Sequence, residues 1–337
     1  MTKRTQIQFL SALVLIPILS PAIAAQNGAK NANHANEESR SAAVWRDPGD
    51  VSTLNLLYGA GGKERAPAPN GKFTFMKEDL EGSSPKINVR DESGVQWKVK
   101  LGEETQSETA ATRLLWAAGY FVDEDYYLPN LKIEGLPKLH RGQSRVSANG
   151  TVQRVRMERN SRNIEKLGNW SWFHNLCGSP KELNGLRVMM AFVNNWDLKE
   201  LNNSVEEIDG QRRCVITDLG ASFGKTGNVF VRSKSVVNEY AASKFISKVR
   251  PDSVDFVMHS RPFFLTVFYF PKYLTRTRME KITKRIPRAD AKWMGERLAL
   301  LSVNQISDSF RAAGYTPEQV GAYTKVVQSR IAQLNAL

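Results

Sequence analysis

The spacing of apolar residues predicts a small sheet near the start of the folded part. Three segments alternate between apolar and polar residues, as strands with one buried face do: 72–76, 87–90 and 95–101. Turn-forming residues separate them at 81–86 and 91–94. We therefore expect three antiparallel strands joined by tight turns.

A helical pattern follows the sheet. The apolar stripe from Ala110 to Ala118 has helical spacing, with Ser107 as the expected N-cap and Gly119 as the expected stop. A short buried strand is predicted at 214–217, and further helices at 180–193, 291–313 and 317–334. A strand-rich part with one helix, followed by a mostly helical part, indicates an α+β fold with two lobes.

The first 25 residues have the order of a secretory signal peptide. Lys3 and Arg4 precede an apolar run over 9–18, and small residues allow cleavage near Ala24 or Ala25. The run is short for a membrane-spanning helix, so a retained anchor is the weaker alternative. We expect export, to the periplasm or the outside.

The predicted organisation has four parts. Residues 1–25 are the signal peptide, and 26–70 form a flexible N-terminal segment rich in small and polar residues. The smaller lobe spans 71–135 and the larger lobe 136–337. The basic stretch 140–165 is interpreted as an insertion.

Composition describes a basic globular protein. Apolar residues make up 41%, and 47 Lys and Arg against 34 Asp and Glu give a net charge of +13. This charge favours anionic partners without choosing among nucleotides, lipids, glycans and nucleic acids. The apolar run 263–270 with the basic stretch after it fits either an anionic surface contact or a core element beside a solvated helix. An exported protein can form a disulfide between Cys177 and Cys214, but the sequence does not decide whether these cysteines pair.

Two acidic motifs suggest phosphoryl transfer. Asp197 is followed five residues later by Asn202, which resembles the catalytic-loop spacing of kinases, where the Asp orients a hydroxyl and the Asn binds a metal ion. Lys199 lies between them. An apolar strand then ends in Asp218, Leu219 and Gly220, which places a carboxylate at the strand exit.

A lysine and a glutamate upstream complete the pattern. Lys100 ends the third predicted strand, and Glu108 begins the next helix. They resemble the pair of kinase folds in which a strand lysine binds the α- and β-phosphates of the nucleotide and a carboxylate on the next helix holds that lysine. Lys98 is the alternative to Lys100, since it points the same way along the strand. Glu103 and Glu104 are the alternatives to Glu108.

The turn between the first two strands is a candidate phosphate loop. It contains Gly82, Ser83, Ser84 and Lys86, whose small size and positive charge suit contact with phosphate oxygens. A plain hairpin turn is the competing interpretation.

Taken together, these motifs resemble the atypical kinases, namely the HipA-like and phosphatidylinositol 3/4-kinase-like group and the secretory-pathway kinases. The resemblance covers about 72–225 and implies a two-lobed protein-kinase-like fold with ATP and Mg²⁺ or Mn²⁺ in the cleft. It implies that ATP is bound by five residues: Lys100, Glu108, Lys86, Ser83 and Ser84. Asp197 and Lys199 would be catalytic, and Asn202 and Asp218 would hold the metal. Unlike protein kinases, the chain has Asn194, Asn195 and Trp196 before Asp197.

The expected function is transfer of the γ-phosphate of ATP to a hydroxyl on a protein, lipid or glycan. A pseudokinase that only binds nucleotide, or a nucleotidyltransferase on the same fold, are alternatives. A basic protein that binds polyanions is a fourth reading, although no specific nucleic-acid partner is expected. The sequence does not give the acceptor or the oligomeric state.

Overall fold

The computed structural model describes residues 42–160, 163–174, 177–226, 232–258, 267–268 and 270–337. The predicted signal peptide, residues 26–41 and most of the apolar run 263–270 lie outside this part. Within it, no helix combines the length and the apolar character needed to cross a membrane.

Five strands close into a small barrel. They are β1 (Phe73–Asp79), β2 (Lys86–Asp91), β3 (Gln96–Leu101), β4 (Asp125–Glu134) and β5 (Thr151–Arg159), in the order β1-β2-β3-β5-β4. Neighbouring strands are antiparallel, except that β1 and β4 close the barrel in parallel with Phe73 opposite Ile133. Alternate residues such as Trp97 and Val99 fill the interior, as the period of two predicts.

The barrel corrects one prediction about this region. Its β5 lies inside the stretch 140–165, so interpreting that stretch as an insertion was wrong; β5 also lies beyond the predicted boundary at 135/136, which stays a prediction together with the two lobes. Val152, Val155 and Met157 of β5 are buried in the barrel. Arg154 has a positive φ of 54°, which interrupts the alternation of buried and exposed residues, so the sequence pattern did not indicate a strand here. The parallel closure by β4 was not predicted either.

Helix α1 (Glu104–Ala117) begins one turn earlier than expected. Ser107 is not its N-cap; its hydroxyl donates to the carbonyls of Glu104 and Gly220 instead. The predicted apolar stripe, including Leu114 and Leu115, is fully buried. It belongs to the larger of two apolar cores, which it shares with the C-terminal helices rather than with the barrel interior.

The larger core is built mainly from helices. The remaining elements are β6 (Ile164–Gly168), α2 (Pro180–Phe192), β7 (Asn203–Ile208), β8 (Gln211–Ile216), α3 (Val237–Ala242), β9 (Ile246–Val249), β10 (Ser253–Phe256), α4 (Phe270–Ile282), β11 (Ile286–Pro287), α5 (Arg288–Leu298), α6 (Val303–Ala312) and α7 (Pro317–Asn335). Two three-stranded sheets, β6-β7-β8 and β11-β10-β9, complete it. The predicted α+β class is confirmed, whereas the two-lobed arrangement stays a prediction.

Helix ends follow local capping chemistry. The predicted helices 180–193 and 317–334 correspond to α2 and α7, each with a capping box and a proline in the first turn. The predicted helix 291–313 is wrong, because it is two helices. Ser302 and Gln305 form a capping box that begins α6 after α5 has ended.

The segment 42–70 is packed, which corrects the prediction of a flexible N-terminal segment for its described part; residues 26–41 lie outside the described residues. Val44, Val51 and Leu56 are buried in the larger core, too widely spaced to form a visible periodicity. Ala42 forms a β-bridge with Cys177. Cys177 is disulfide-bonded to Cys214, which resolves the pairing that the sequence left open.

Candidate active site

Lys100 lies at the centre of a buried ionic cluster. It is on the outer face of β3, because its neighbours in the strand point into the barrel. Its Nζ atom is 2.8 Å from Oε2 of Glu108 and 2.9 Å from Oε2 of Glu104, which lie one turn apart on α1. Oδ1 of Asp218 is 3.2 Å from the same Nζ atom. The fold thus brings together three predicted site residues that are up to 118 positions apart.

The charges of this cluster are fixed by their surroundings. Burial alone would lower the pKa of Lys100, but the three carboxylates around it, Glu108 foremost, raise it well above its ordinary value. Burial raises the pKa of Glu108 in spite of Arg156 and Lys100. Burial also opposes ionisation of Glu104, yet Lys100 and Lys234 lower its pKa to about 2. Lys100 and Glu104 are therefore charged at neutral pH.

A second buried cation, Arg156 on β5, supports the cluster from the barrel. It pairs directly with Lys100 across the two strands. Its guanidinium lies 2.6 to 3.5 Å from four carboxylates, those of Asp125, Glu158, Asp123 and Glu108. Glu108 consequently has a cation on each side, which fixes its carboxylate against Lys100. Arg156 was missed because β5 was missed.

The residues named from the sequence as alternatives to Lys100 and Glu108 make different contacts. Lys98 pairs with Glu158, at 3.4 Å, rather than with α1. Glu103 is exposed at the N-cap position of α1 and makes no capping hydrogen bond with its side chain. Glu104, by contrast, belongs to the cluster together with Glu108.

Asp218 lies two residues beyond Ile216, the apolar end of β8, and remains accessible, with 39% of its side chain exposed. Its Oδ1 atom also accepts a hydrogen bond from the Gly220 amide at 3.3 Å. The Gly220 carbonyl accepts from the Ser107 hydroxyl at 2.7 Å, which fastens this turn to α1. A Cβ atom on Gly220 would lie 2.7 Å from Cβ of Glu104, so glycine is required here.

The loop after α2 carries Asp197 and is tied to the strand that leads to Asp218. Oδ1 of Asn195 accepts from the Asp197 amide at 2.9 Å, and its Nδ2 lies 3.4 Å from the Asp218 carbonyl oxygen. Nδ2 of Asn202 donates to the Asp197 carbonyl at 2.8 Å. The Asp197 carboxylate is neutralised by Lys199, whose Nζ is 2.8 Å from Oδ1.

The predicted phosphate loop between β1 and β2 is only partly in the cluster. Ser84 donates to Oε2 of Glu104 at 3.0 Å, whereas Ser83 is exposed. Lys86 lies directly opposite Lys100 in the register of β2 and β3, and its Nζ atom is 3.2 Å from Oδ2 of Asp79.

Two further cations near this site were not found from the sequence. Arg141 donates to the Gly82 and Asp79 carbonyls and so fixes the loop between β1 and β2. Lys234 contacts Oε1 of Glu104 at 2.5 Å. Both come from loops without periodicity, so nothing in the sequence distinguished them from other basic residues.

The residues present fit a Mg²⁺ ion that shares its coordination with phosphate. No group of three or more His, Cys, Asp or Glu able to hold a metal occurs among the described residues. Mg²⁺, however, commonly takes one or two protein oxygens and completes its shell with phosphate and water. Asp218 offers an accessible carboxylate. Asn202 lies beside it, since its carbonyl accepts from the amide of Thr217 at 3.0 Å.

A cavity of about 460 Å³ is lined by Lys98, which lies two positions before Lys100 on β3. Lys98 and Lys100 are alternate residues on one face of β3, about 7 Å apart along the strand. Asn88 and Glu158 line the cavity from the barrel, and Glu206 lines it from β7. Its volume lies in the range of small-molecule sites, and its walls carry several charged side chains.

Comparisons with known proteins give remote structural resemblances. No known family profile matches the chain, and no curated protein matches it. A proinflammatory kinase of Helicobacter pylori, CtkA, is similar over 78% of this chain and 96% of its own, with 11% identity and a TM-score of 0.44. The Golgi casein kinase is similar over 86% of this chain and 80% of its own, with 10% identity and a TM-score of 0.33. At these values the function has to be inferred from the site itself.

Proposed function

We propose that this chain is a kinase-type phosphotransferase that transfers the γ-phosphate of ATP to a hydroxyl acceptor. The observation that carries the proposal is the contact of Lys100 with both Glu108 and Asp218. It joins a strand lysine, a helix carboxylate and the carboxylate at a strand exit, the three groups that phosphoryl transfer needs around a nucleotide.

Each group has a role that its position supports. Lys100, held by Glu108, binds the α- and β-phosphates. Asp218 and Asn202 hold Mg²⁺ or Mn²⁺, which when bound neutralises charge on the phosphates. Asp197 orients the accepting hydroxyl, and Lys199, whose ion pair with Asp197 supports a role beside it, contacts the transferred group. The cavity at Lys98 offers room for the nucleoside.

We also propose that the chain acts outside the cytoplasm, after removal of residues 1–25. The order of charges, apolar run and small residues supports a signal peptide. The disulfide between Cys177 and Cys214 agrees with an oxidising compartment. The acceptor is a protein, lipid or glycan that is accessible there.

The test is thermal melting of the protein with and without ATP and Mg²⁺ or Mn²⁺, combined with a turnover assay. Nucleotide at a hundred times its dissociation constant should stabilise the protein by about 2.7 kcal/mol. We expect this gain to require the metal and to be lost in Asp218→Ala. Asp209→Asn, in the exposed turn between β7 and β8, is the control and should behave as wild type.

The outcomes separate the proposed function from its alternatives. Stabilisation without turnover would make the chain a nucleotide-binding module. A mass gain of AMP rather than phosphate on the acceptor would indicate nucleotidyl transfer. No stabilisation of the wild type by millimolar ATP with either metal would refute the proposal.

A further inference from the structure

We propose that Glu104 occupies the position of a nucleotide phosphate, and that Lys234 and Ser84 bind that phosphate together with Lys100 once Glu104 has moved aside. This inference rests on the proposed function and deepens it. It assigns Lys234 to the phosphate site, which no sequence motif indicated, and it makes Glu104 an internal competitor of the nucleotide.

The Glu104 carboxylate is held by donors from three separate parts of the chain. Oε2 lies 2.9 Å from Nζ of Lys100 on β3 and 3.0 Å from the Ser84 hydroxyl in the loop between β1 and β2. Oε1 lies 2.5 Å from Nζ of Lys234, which follows the Asp218 turn. Two ammonium groups and a hydroxyl converging on one anion are the donors that a phosphate group would also use.

Glu104 is the carboxylate that a ligand can replace. Lys100 has three N–H donors, and Glu104, Glu108 and Asp218 all lie within reach of them. Glu108 is buried, with 2% of its side chain exposed, and Arg156 holds it from the barrel. The side chains of Glu104 and Lys234 are 20% and 30% exposed, so they lie at the solvent side of the cluster.

The exchange depends on charge rather than on pH. Because the pKa of Glu104 is lowered to about 2, the carboxylate stays ionised at neutral pH and does not leave by taking up a proton. A triphosphate carries more negative charge than a carboxylate and can displace it. The apparent affinity for nucleotide is reduced by the fraction of molecules in which Glu104 occupies the site.

The experiment measures binding of Mg²⁺–ATP and of inorganic tripolyphosphate by calorimetry. Glu104→Gln keeps the shape of the side chain and removes its charge, and we expect it to bind both probes at least about tenfold more tightly than wild type. Glu103→Gln, its exposed neighbour, is the matched control and should equal wild type. Lys234→Met should bind both probes at least about tenfold more weakly. Circular dichroism and a melt without ligand check that each variant is folded.

The possible results distinguish this inference from the proposed function. If wild type binds ATP but Glu104→Gln binds equally or more weakly, Glu104 is not a competitor, and the proposed function stands. If Lys234→Met binds as wild type does, Lys234 is not a phosphate ligand. If neither wild type nor Glu104→Gln binds either probe, both proposals fail. Should Glu104→Gln not fold, Glu104→Asp replaces it: the shorter side chain cannot reach Lys100 and Lys234 together, and tighter binding is again expected.

Discussion

Two carboxylates beside the site are unusually acidic, and this has a consequence for stability. The pKa of Glu104 is about 2 because Lys100 and Lys234 outweigh the effect of burial. Burial also opposes ionisation of Glu158, but Arg156 and Lys98 lower its pKa to about 2. Both groups have a lower pKa in the folded chain than the ordinary value of 4.5, so the unfolded chain takes up protons first as the pH falls.

We therefore expect Glu104 and Glu158 to contribute a decrease in the free energy of unfolding as the pH falls from about 5 to 2. At these two groups the unfolded state binds more protons than the folded state in this window, and each adds a slope of up to about 1.4 kcal/mol per pH unit. Urea unfolding at several pH values measures the slope. Glu104→Gln removes one of these groups and should reduce the slope, whereas Glu103→Gln should not. An equal slope in all three proteins would contradict the lowered pKa of Glu104.

Some contacts of individual residues were predictable from the sequence, and others were not. Lys100 and Glu108 were found because each lies near the end of a regular element, where strand and helix periods determine direction. Lys86 was expected at the phosphate site; it lies opposite Lys100 in the strand register, and its ammonium group forms an ion pair with Asp79 at the end of β1. Lys234 belongs to a loop, and its contact with Glu104 arises only from tertiary packing.

Among the elements, the C-terminal helix α7 positions the loop that carries Asp197. Arg330 of α7 is buried, and its guanidinium stacks 4.0 Å from the ring centroid of Tyr240. It donates to acceptors at the end of α2 and close by, namely the carbonyls of Ala191 and Phe192, Oδ1 of Asn194 and Oγ of Ser243. A cation at the C-terminus of a helix is favourable, and here it also fixes Asn194 at its positive φ of 55°.

Replacing Arg330 by Met should therefore both destabilise the protein and misplace Asp197. Several buried acceptors would lose their donor, which costs about 1–3 kcal/mol for each one left unsatisfied. Urea unfolding measures the loss of stability. In conditions where the variant is folded, turnover should fall more than nucleotide affinity, because Lys100 is not affected. Lys325→Met, on the exposed side of α7, is the matched control.

A stability loss without any separate effect on turnover would show that Arg330 only supports the core. A variant as stable as wild type would contradict the contacts described for its guanidinium.

Elements with clean periodicity were predictable, and those that depend on their neighbours were not. The first three strands, α2 and α7 lie within a few residues of their predicted bounds. Strand β5 was not predicted because its charged residues and the positive φ of Arg154 interrupt the alternation of its buried residues. Those charges are the partners of Lys98 and Lys100, so the same residues that obscured the strand belong to the site.

On the scale of the whole molecule, the disulfide between Cys177 and Cys214 connects two regions that no sequence pattern links. It closes a stretch of 37 residues that includes α2, the Asp197 loop and β7. The N-terminal segment joins at the same place, since Ala42 bridges to Cys177 and Ala43 bridges to Arg213. No local pattern predicts this arrangement, because each residue has its partner far along the chain.

Removing this disulfide should destabilise the whole domain. A cross-link over 37 residues restricts the unfolded chain by about 4 kcal/mol in the chain-entropy estimate. We expect the double variant Cys177→Ala/Cys214→Ala to unfold at a lower urea concentration, and a thiol reductant to bring wild type close to that midpoint. The reductant should not affect the variant, which serves as the control. Because the buried end of β8 runs from Cys214 to Ile216, two residues before Asp218, nucleotide binding should weaken in step with stability. A midpoint that neither the mutation nor the reductant changes would mean that packing alone holds β8 in place.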